Sequence, residues 1–582
     1  MIKILSKLLC FSSLYLSLFP VLASDVADAV APEEGTRKTQ QLLVKAKQFM
    51  VAAANPYATE AGYDILKKGG SAVDAMIAVQ LVLNLVEPQS SGIGGGAFIV
   101  YFDGKKDQLT TWDGRETAPE KASPTLFMEQ KAKPLSFYDA VVGGRSVATP
   151  GTPMLMYTMH QQYGKLPWQV LLQPAIKLAE QGFIVSERLA SLIANDRQRL
   201  SRYPSTKAYF FPDGKSLKEG ALLKNPEFAN TLTLMAAEGV KPFYHGVIGQ
   251  DIVKAVQSMD DNSGYLSLTD LKNYTVKERP PVCIDYRQYD VCGMGPPSSG
   301  ALTIGQILGM VEHYDLAAYG PESPASWRLI GGASRLAFAD RGLYIADTDF
   351  VDIPSGLLND VYLADRAKLL EQPKALDNVD AGIPPGASKL ARANDESIEL
   401  PSTSHISIVD KEGNALSMTT TIENGFGSRL MVRGFLLNNE MTDFSFVPEK
   451  NGKPVANRIE AGKRPRSSMA PTIVFKKGKP YLVIGSPGGS RIIGYVAKTL
   501  IAHLDWQLPI DEAISLPHLV NRFGTYDLEQ GTSAEELKGS LEKMGYQVNS
   551  RDLNSGLQAI VIKKQGLEGA ADPRREGMVK GQ

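Results

Sequence analysis

Five short polar segments in the second half of the chain carry residue types that could perform chemistry. In chain order they are Ser402-Thr403-Ser404-His405, Thr419-Thr420-Thr421, Asn438 to Asp443, Lys463 to Met469 and Gly485 to Ser490. Hydroxyls can act as nucleophiles, arginine and carboxylate side chains can hold opposite charges, and glycine-rich turns can present backbone N–H groups to an anion. Taken singly, each segment is equally typical of turn chemistry, because hydroxyl residues and glycines are common where strands begin and end.

Several other chemistries lack the motifs that they require. The six histidines show no His-Glu-x-x-His spacing and there is no Cys-x-x-Cys pair, so we predict no metal site. The sequence contains neither Gly-x-Ser-x-Gly nor a Walker motif. Gly92-Ile93-Gly94-Gly95-Gly96 follows a predicted helix instead of a strand, which is the wrong context for dinucleotide binding. We therefore expect no cofactor.

The order and spacing of the five segments resemble those of the γ-glutamyltransferases, also called glutathione hydrolases, in the N-terminal-nucleophile hydrolase superfamily. The resemblance extends over nearly all of the mature chain and further includes Asn55-Pro56, Gly69 to Ala75, Gly94 to Phe98, Asp113 to Pro119, Pro296 to Gly300 and Ala571 to Arg574. It implies an α+β fold, a four-layer αββα sandwich, and a proenzyme that cuts its own Ser402–Thr403 bond. The products would be a large subunit, residues 24–402, and a small subunit, residues 403–582.

The same resemblance implies a catalytic role for four residues. Thr403 is the expected nucleophile, Thr421 the hydroxyl that orients it, and Gly488 and Gly489 the donors of backbone N–H groups to the oxyanion. Cleavage would free an α-amino group on Thr403 with a pKa of about 7.7 to 8.0, low enough to accept the hydroxyl proton near pH 7. Nucleophile and base would then share one residue, and no histidine is needed.

The γ-glutamyl head of the implied substrate is a zwitterion, so its pocket needs both charges. Arg115, Ser467 and Ser468 resemble the family residues that bind the α-carboxylate, and Asp443 with Glu440 resembles the ammonium site. The substrate-binding set implied in this way is Arg115, Thr421, Glu423, Glu440, Asp443, Ser467 and Ser468. The expected partners are glutathione and other γ-glutamyl compounds as donors, with water or the amine of an amino acid or dipeptide as acceptor.

Two departures from the family pattern leave alternatives open. Glu423 stands where well-studied members carry asparagine, and Glu440 stands where some have glutamine. Residues 444–466 contain no tyrosine and form a shorter segment than the lid of other members, so we expect an open cleft. This resembles the branch that includes cephalosporin acylases, whose glutaryl acyl group lacks the α-ammonium, although the retained Asp443 argues against that activity. A non-catalytic exported binding protein, with an uncut chain, is the alternative from another class.

Helices and strands must alternate along the chain to position these segments. Apolar periodicity and turn residues predict a helix-rich stretch to about residue 280 and an irregular loop from Gln372 to Leu400. The individual elements predicted are helices over Thr59 to Lys68, Val73 to Val86 and Trp327 to Asp340, and strands over Ala97 to Phe102, His405 to Val409, Ala415 to Thr421, Thr472 to Phe475 and Tyr481 to Ile484.

Residues 1–23 are predicted to be a signal peptide. Lys3 and Lys7 precede an uncharged apolar run from Leu8 to Leu22, and Val21-Leu22-Ala23 suits a signal peptidase that cuts after Ala23. An uncleaved anchor is the alternative, but the run is short for a membrane span of about 20 residues. We expect a periplasmic or secreted protein without membrane association once the leader is removed.

The cysteines agree with export, because Cys283 and Cys292 remain after Cys10 leaves with the leader. Two short strands about an Arg287-Gln288 turn would set them opposite each other, within disulfide range. We interpret the pair as a local structural link worth about 2 to 3 kcal/mol.

The overall composition is that of a globular protein. Of the 582 residues 43% are hydrophobic and 21% are charged, and the net charge is −1. Since there is also no long run of lysine and arginine, the chain has no general attraction to nucleic acid, which we do not expect as a partner.

Overall fold

The computed structural model describes residues 42–129, 133–387, 392–395, 397 and 402–582. The predicted signal peptide, with its cleavage after Ala23, lies outside the described residues. Among the residues that are described, no helix combines the length and the apolar character needed to cross a membrane.

Two seven-stranded antiparallel sheets form the centre of the molecule. The first contains, in spatial order, Val44–Ala46, Gly566–Ala571, Gln558–Lys563, Lys479–Gly485, Thr472–Lys476, Tyr289–Gly293 and Val282–Tyr286. The second contains Met578–Gly581, Met50–Ala53, Ser404–Val409, Ala415–Thr421, Gly96–Asp103, Gln108–Gly114 and Lys277–Arg279.

Four shorter ladders complete the strands of the described residues. They are Phe183–Ile184 with Leu222–Leu223, Met431–Val432 with Phe435–Leu436, Glu449–Lys450 with Lys453–Pro454, and the three strands Leu519–Asn521, Thr525–Glu529 and Gln547–Arg551.

Helices cover the outer faces of both large sheets. The helices that lie in sequence between strands Met50–Ala53 and Lys277–Arg279 are Pro56–Lys67, Ala72–Val86, Phe137–Val141, Thr152–Tyr163, Trp168–Gln181, Glu187–Asn195, Arg197–Leu200, Pro204–Phe210, Pro226–Glu238, Lys241–Tyr244, Val247–Gln257 and Leu268–Asn273. The later ones are Gly300–Val311, Leu316–Tyr319, Pro324–Tyr344, Asp360–Lys368, Ile492–Leu504, Ile510–Ser515 and Lys538–Lys543. Short 3-10 helices span Gly144–Ser146, Pro212–Gly214, Leu369–Glu371, Glu440–Asp443, Gly489–Arg491 and Ser533–Leu537.

Alternation along the strands explains why the sheets stack between helices. In strand Gly96–Asp103, Ile99 packs with the helices of the N-terminal half, whereas Phe98 and Val100 pack in the cluster shared with the first sheet. Successive side chains of a strand point to opposite faces, so one uniformly apolar strand serves two cores. The resulting layers are helix, sheet, sheet and helix, which confirms the α+β, four-layer αββα sandwich.

The predicted elements are present, with shifted ends. Helix Pro56–Lys67 begins three residues before the prediction because Asn55 caps it, and Ser71 with Asp74 forms a capping box on Ala72–Val86. Strand Ala415–Thr421 has the predicted bounds. The described part of the region from Gln372 to Leu400 contains no helix or strand.

Cys283 and Cys292 are register partners in the antiparallel pair Val282–Tyr286 and Tyr289–Gly293. A disulfide joins them, and Arg287, in the turn between the strands, has a positive φ of 59°. The link therefore lies at the edge of the first sheet.

His405 is buried between the two sheets. Its Nδ1 lies 2.9 Å from Thr419 Oγ1 and its Nε2 lies 3.1 Å from Ser407 Oγ. A Cβ on Gly485 of the facing sheet would come within 2.2 Å of the ring, so only glycine fits there. Burial lowers the pKa of His405 to about 3.

This burial predicts an acid-sensitive stability. The ring stays neutral in the folded state but binds a proton on unfolding below about pH 6.5, so stability is complete above that pH and falls towards pH 3. Between pH 7 and pH 5 the wild type should lose about 2 kcal/mol of unfolding free energy that His405→Gln does not lose. Urea unfolding at the two pH values measures the difference. His245→Gln, at a solvent-exposed ring, is the matched control and should behave like the wild type; equal pH dependence in His405→Gln would contradict the assignment.

Candidate active site

The candidate nucleophile lies at one end of a β-hairpin in the second sheet. Thr403 directly precedes strand Ser404–Val409, and Thr421 ends the neighbouring strand, whose Thr420 is the register partner of Ser404. Because the strands are antiparallel, Thr403 and Thr421 lie side by side at the same end of the strand pair. Thr403 is only 3% exposed, and its carbonyl accepts a hydrogen bond from Arg575 Nη1 at 3.4 Å.

The peptide group before Thr403 is held by two hydroxyls. Thr421 Oγ1 donates to the carbonyl oxygen of Ser402 at 2.8 Å, and Ser402 Oγ donates to the carbonyl of Gln89 at 2.6 Å. The resemblance implies that Thr421 orients the nucleophile of the processed enzyme, which stays a prediction, whereas in the uncut chain its hydroxyl donates to the preceding residue. A donor on that carbonyl polarises the carbon that Thr403 Oγ would attack.

The glycine-rich turn that contains Gly488 and Gly489 lies at the site, directly before a helix. Gly488 and Gly489 follow strand Lys479–Gly485 and lead through a 3-10 turn into helix Ile492–Leu504. Their φ values of 138° and 57° favour glycine, and a Cβ on Gly488 would come within 2.7 Å of the Tyr495 ring. Backbone N–H groups at a helix N-terminus are suited to an anion.

Arg115 is the centre of a buried charged cluster. Its guanidinium donates to Glu440 and Asp443, which lie on the 3-10 helix Glu440–Asp443, and to the backbone carbonyls of Pro465 and Arg466 at 3.2 and 3.0 Å. Burial alone would lower the pKa of Arg115, but the attraction of Glu440 and Asp443 raises it. The predicted carboxylate-binding and ammonium-binding groups are therefore in mutual contact.

The carboxyls of this wall have raised pKa values. Burial raises the pKa of Glu440 well above its ordinary range although Arg115 opposes the shift, and burial with repulsion from Asp443 and Glu440 does the same for Glu423. Glu116, 3.8 Å from Arg115, has a pKa raised to about 7, mainly by burial. The wall is thus less negative than a count of its acids indicates.

Ser467 is fixed by the segment Pro296 to Gly300, for which no role in the site was predicted. The backbone N–H of Ser467 donates to Pro297 at 3.0 Å, and its carbonyl accepts from both the N–H and the Oγ of Ser299 at 2.7 Å. The Pro296 to Gly300 motif was the available signal for this support. Gln89 and Arg575 were missed, because neither belongs to a motif at the site.

One small cavity brings together all but one of the predicted site residues. Its lining is Arg115, Ser402, Thr403, Thr421, Glu423, Glu440, Asp443, Ser467, Ser468, Met469, Gly489 and Ile492. Gly488 is the exception and lies beside the lining against Tyr495.

The predicted side chains at the cavity are all buried in the uncut chain, and the open cleft expected from the short lid segment stays a prediction. Two described residues upstream of Ser402, Ala393 and Asp395, contact the short lid segment, residues 444–466. Ala393 bonds to the carbonyl of Pro454, and the Asp395 carboxylate lies 2.8 Å from Arg466 and 2.9 Å from Asn457.

Comparison with known proteins places these observations in a family. The family model described as Gamma-glutamyltranspeptidase matches residues 58–582. A glutathione hydrolase proenzyme of Bacillus subtilis (strain 168) is 36% identical over 95% of both chains, and one of Escherichia coli (strain K12) is 38% identical over 91% of both. The crystal structure of a cephalosporin acylase from Bacillus halodurans matches with a TM-score of 0.82 at 26% identity, covering 95% of this chain and 99% of that chain. This protein belongs to the gamma-glutamyltranspeptidase family of N-terminal-nucleophile enzymes.

Proposed function

We propose that this protein is an exported, self-processing glutathione hydrolase and γ-glutamyltransferase. It cleaves the γ-glutamyl amide of glutathione and related compounds through an ester on Thr403 and passes the acyl group to water or to the amine of an amino acid or dipeptide. The observation that carries the proposal is the single cavity in which Thr403 lies with Arg115, Asp443 and Gly489. Residues 1–23 would act as the export signal, and residues 24–402 and 403–582 would be the two subunits.

Self-processing would begin with attack of Thr403 Oγ on the carbonyl carbon of Ser402. The hydrogen bond from Thr421 to that carbonyl oxygen favours the attack, since negative charge develops on the oxygen. The C–N bond breaks as an ester forms, and the nitrogen of Thr403 takes up the proton that its hydroxyl loses. Water then hydrolyses the ester, which leaves Ser402 as a carboxylate and frees both the amine and the hydroxyl of Thr403.

In the mature enzyme, the amine of Thr403 would remove the hydroxyl proton directly or through water. Thr403 Oγ then attacks the γ-carbonyl of the donor, and the backbone N–H groups of Gly488 and Gly489 stabilise the oxyanion. The leaving amine takes a proton, and the acceptor attacks the ester in a second, equivalent step. Loss of one oxyanion donor typically costs about 2.7 to 4 kcal/mol.

The contacts of Arg115 favour a γ-glutamyl donor over a glutaryl donor. Arg115 is paired with Glu440 and Asp443, so a ligand that takes the guanidinium for its own carboxylate separates these acids from their cation. A zwitterion supplies an ammonium in compensation, whereas a glutaryl group does not. The structural likeness to the Bacillus halodurans cephalosporin acylase makes glutaryl amide hydrolysis the second candidate function.

Replacement of Thr403 by alanine should abolish processing and activity. The wild type should migrate as two bands on denaturing electrophoresis and Thr403→Ala as one, because alanine has no nucleophilic oxygen. Thr403→Ser, which keeps the hydroxyl, is the control and should still be cut. A wild type that remains a single intact chain would contradict self-processing and favour the binding-protein alternative.

Comparison of two donors tests the substrate class. The wild type should hydrolyse γ-glutamyl 4-nitroanilide with a higher kcat/KM than glutaryl 4-nitroanilide. Asp443→Asn should lower kcat/KM for the γ-glutamyl donor about ten- to hundredfold, the cost of a lost charged hydrogen bond, and affect the glutaryl donor less. Glu449→Gln, at an exposed position of the short hairpin, is the matched control. Wild-type preference for the glutaryl donor would reverse the ranking.

A further inference from the structure

One buried guanidinium lies behind the two serines of the cavity. Arg341, near the end of helix Pro324–Tyr344, is 3% exposed. Its Nη2 donates to Ser468 Oγ at 2.7 Å, and its Nε donates to Ser299 Oγ at 2.8 Å. Because Ser299 Oγ in turn donates to the carbonyl of Ser467 at 2.7 Å, Arg341 contacts Ser468 directly and Ser467 through one hydroxyl.

The chemistry of arginine fixes the direction of these bonds. A guanidinium has donors and no acceptor, so the oxygens of Ser468 and Ser299 must accept from Arg341. Because Ser468 Oγ accepts from Arg341, the Ser468 hydroxyl can act towards the cavity as a donor, which is the role that binding of a carboxylate requires. A charged donor also makes a stronger hydrogen bond than a neutral one and holds the serine oxygen in place.

The charge of Arg115 in the cavity is balanced by acids. Arg115 is the cation within the lining, and it is matched there by Glu440 and Asp443, with Glu116 nearby. An entering carboxylate must compete with those acids for Arg115. The guanidinium of Arg341 lies one hydrogen bond beyond Ser468 and holds the serine oxygen in the orientation in which its hydroxyl can donate to that carboxylate.

We propose that Arg341 is a positioning residue that makes the Ser467–Ser468 pair selective for the α-carboxylate of the donor. The inference rests on the proposed function, in which these serines bind that group. It differs from a purely structural role in one respect: the contribution of Arg341 is felt by donors that carry the α-carboxylate and not by donors that lack it.

Two donors that differ only in this group test the proposal. They are γ-glutamyl 4-nitroanilide and 4-aminobutyryl 4-nitroanilide, which has the same acyl chain and amine without the carboxylate. Arg341→Gln should raise KM for the γ-glutamyl donor about tenfold, with kcat changed less than about threefold, and should leave kcat/KM for the aminobutyryl donor unchanged. Arg341→Lys should recover part of the loss, because it restores the charge without the planar fork.

Arg335→Gln is the matched control. Arg335 lies on the same helix six residues earlier, but its guanidinium donates to the backbone carbonyls of Leu376 and Asp377 instead of the serines. Arg335→Gln should change KM and kcat for neither donor. Thermal unfolding and the two-band pattern of each variant report on folding, and Arg341→Lys carries the test if Arg341→Gln does not fold.

Different failures have different meanings. An equal loss of kcat/KM for both donors in the Arg341 variants, or a loss confined to kcat, would overturn the role of Arg341 and leave the proposed function intact. A wild type that turns over neither donor would overturn the proposed function and this inference with it.

Discussion

The antiparallel pairing of strands Ser404–Val409 and Ala415–Thr421 is the constraint on which the site depends. The register that places Ser404 opposite Thr420 brings Thr403 and Thr421, which are 18 residues apart in sequence, to the same end of the strand pair. A shift of one residue would turn every side chain of a strand to the opposite face. His405 opposes such a shift, since its ring is bonded to Thr419 and Ser407 and fits only against glycine in the facing sheet.

Buried charge is the second constraint, and it links binding to selectivity. Arg115 is removed from water, so it is stable only with partners, and Glu440, Asp443 and two backbone carbonyls supply them. The charged groups of the site therefore have partners within the protein before any ligand binds. A ligand gains most when it offers both a carboxylate and an ammonium. The carboxylate then replaces Glu440 and Asp443 as the partner of Arg115, and the ammonium replaces Arg115 as the partner of these acids.

Local signals in the sequence predicted the main elements, because uniformly apolar strands and capped helices such as Ala72–Val86 have strong patterns. The four layers and most of the cavity were implied by the resemblance to the family. The direction of the Thr421 bond could not be predicted, since it depends on the three-dimensional position of the Ser402 carbonyl. The ion pair of Asp395 with Arg466 was also missed, because the two residues are far apart in sequence and no motif connects them.

Glu423 is a smaller departure from the family pattern than its charge indicates. It adopts a positive φ of 73°, a conformation in which asparagine is enriched and glutamate is not. Its carboxyl accepts a hydrogen bond from Asn439, while burial and the repulsion of Asp443 and Glu440 raise its pKa well above the ordinary value. Burial and the repulsion favour the protonated form, while the hydrogen bond from Asn439 opposes it. A protonated carboxyl has an O–H donor beside its carbonyl acceptor, where an amide has N–H donors beside the same kind of acceptor. In the protonated form Glu423 offers a ligand ammonium a carbonyl oxygen, as asparagine does, so the raised pKa reduces the difference in charge between this residue and an amide.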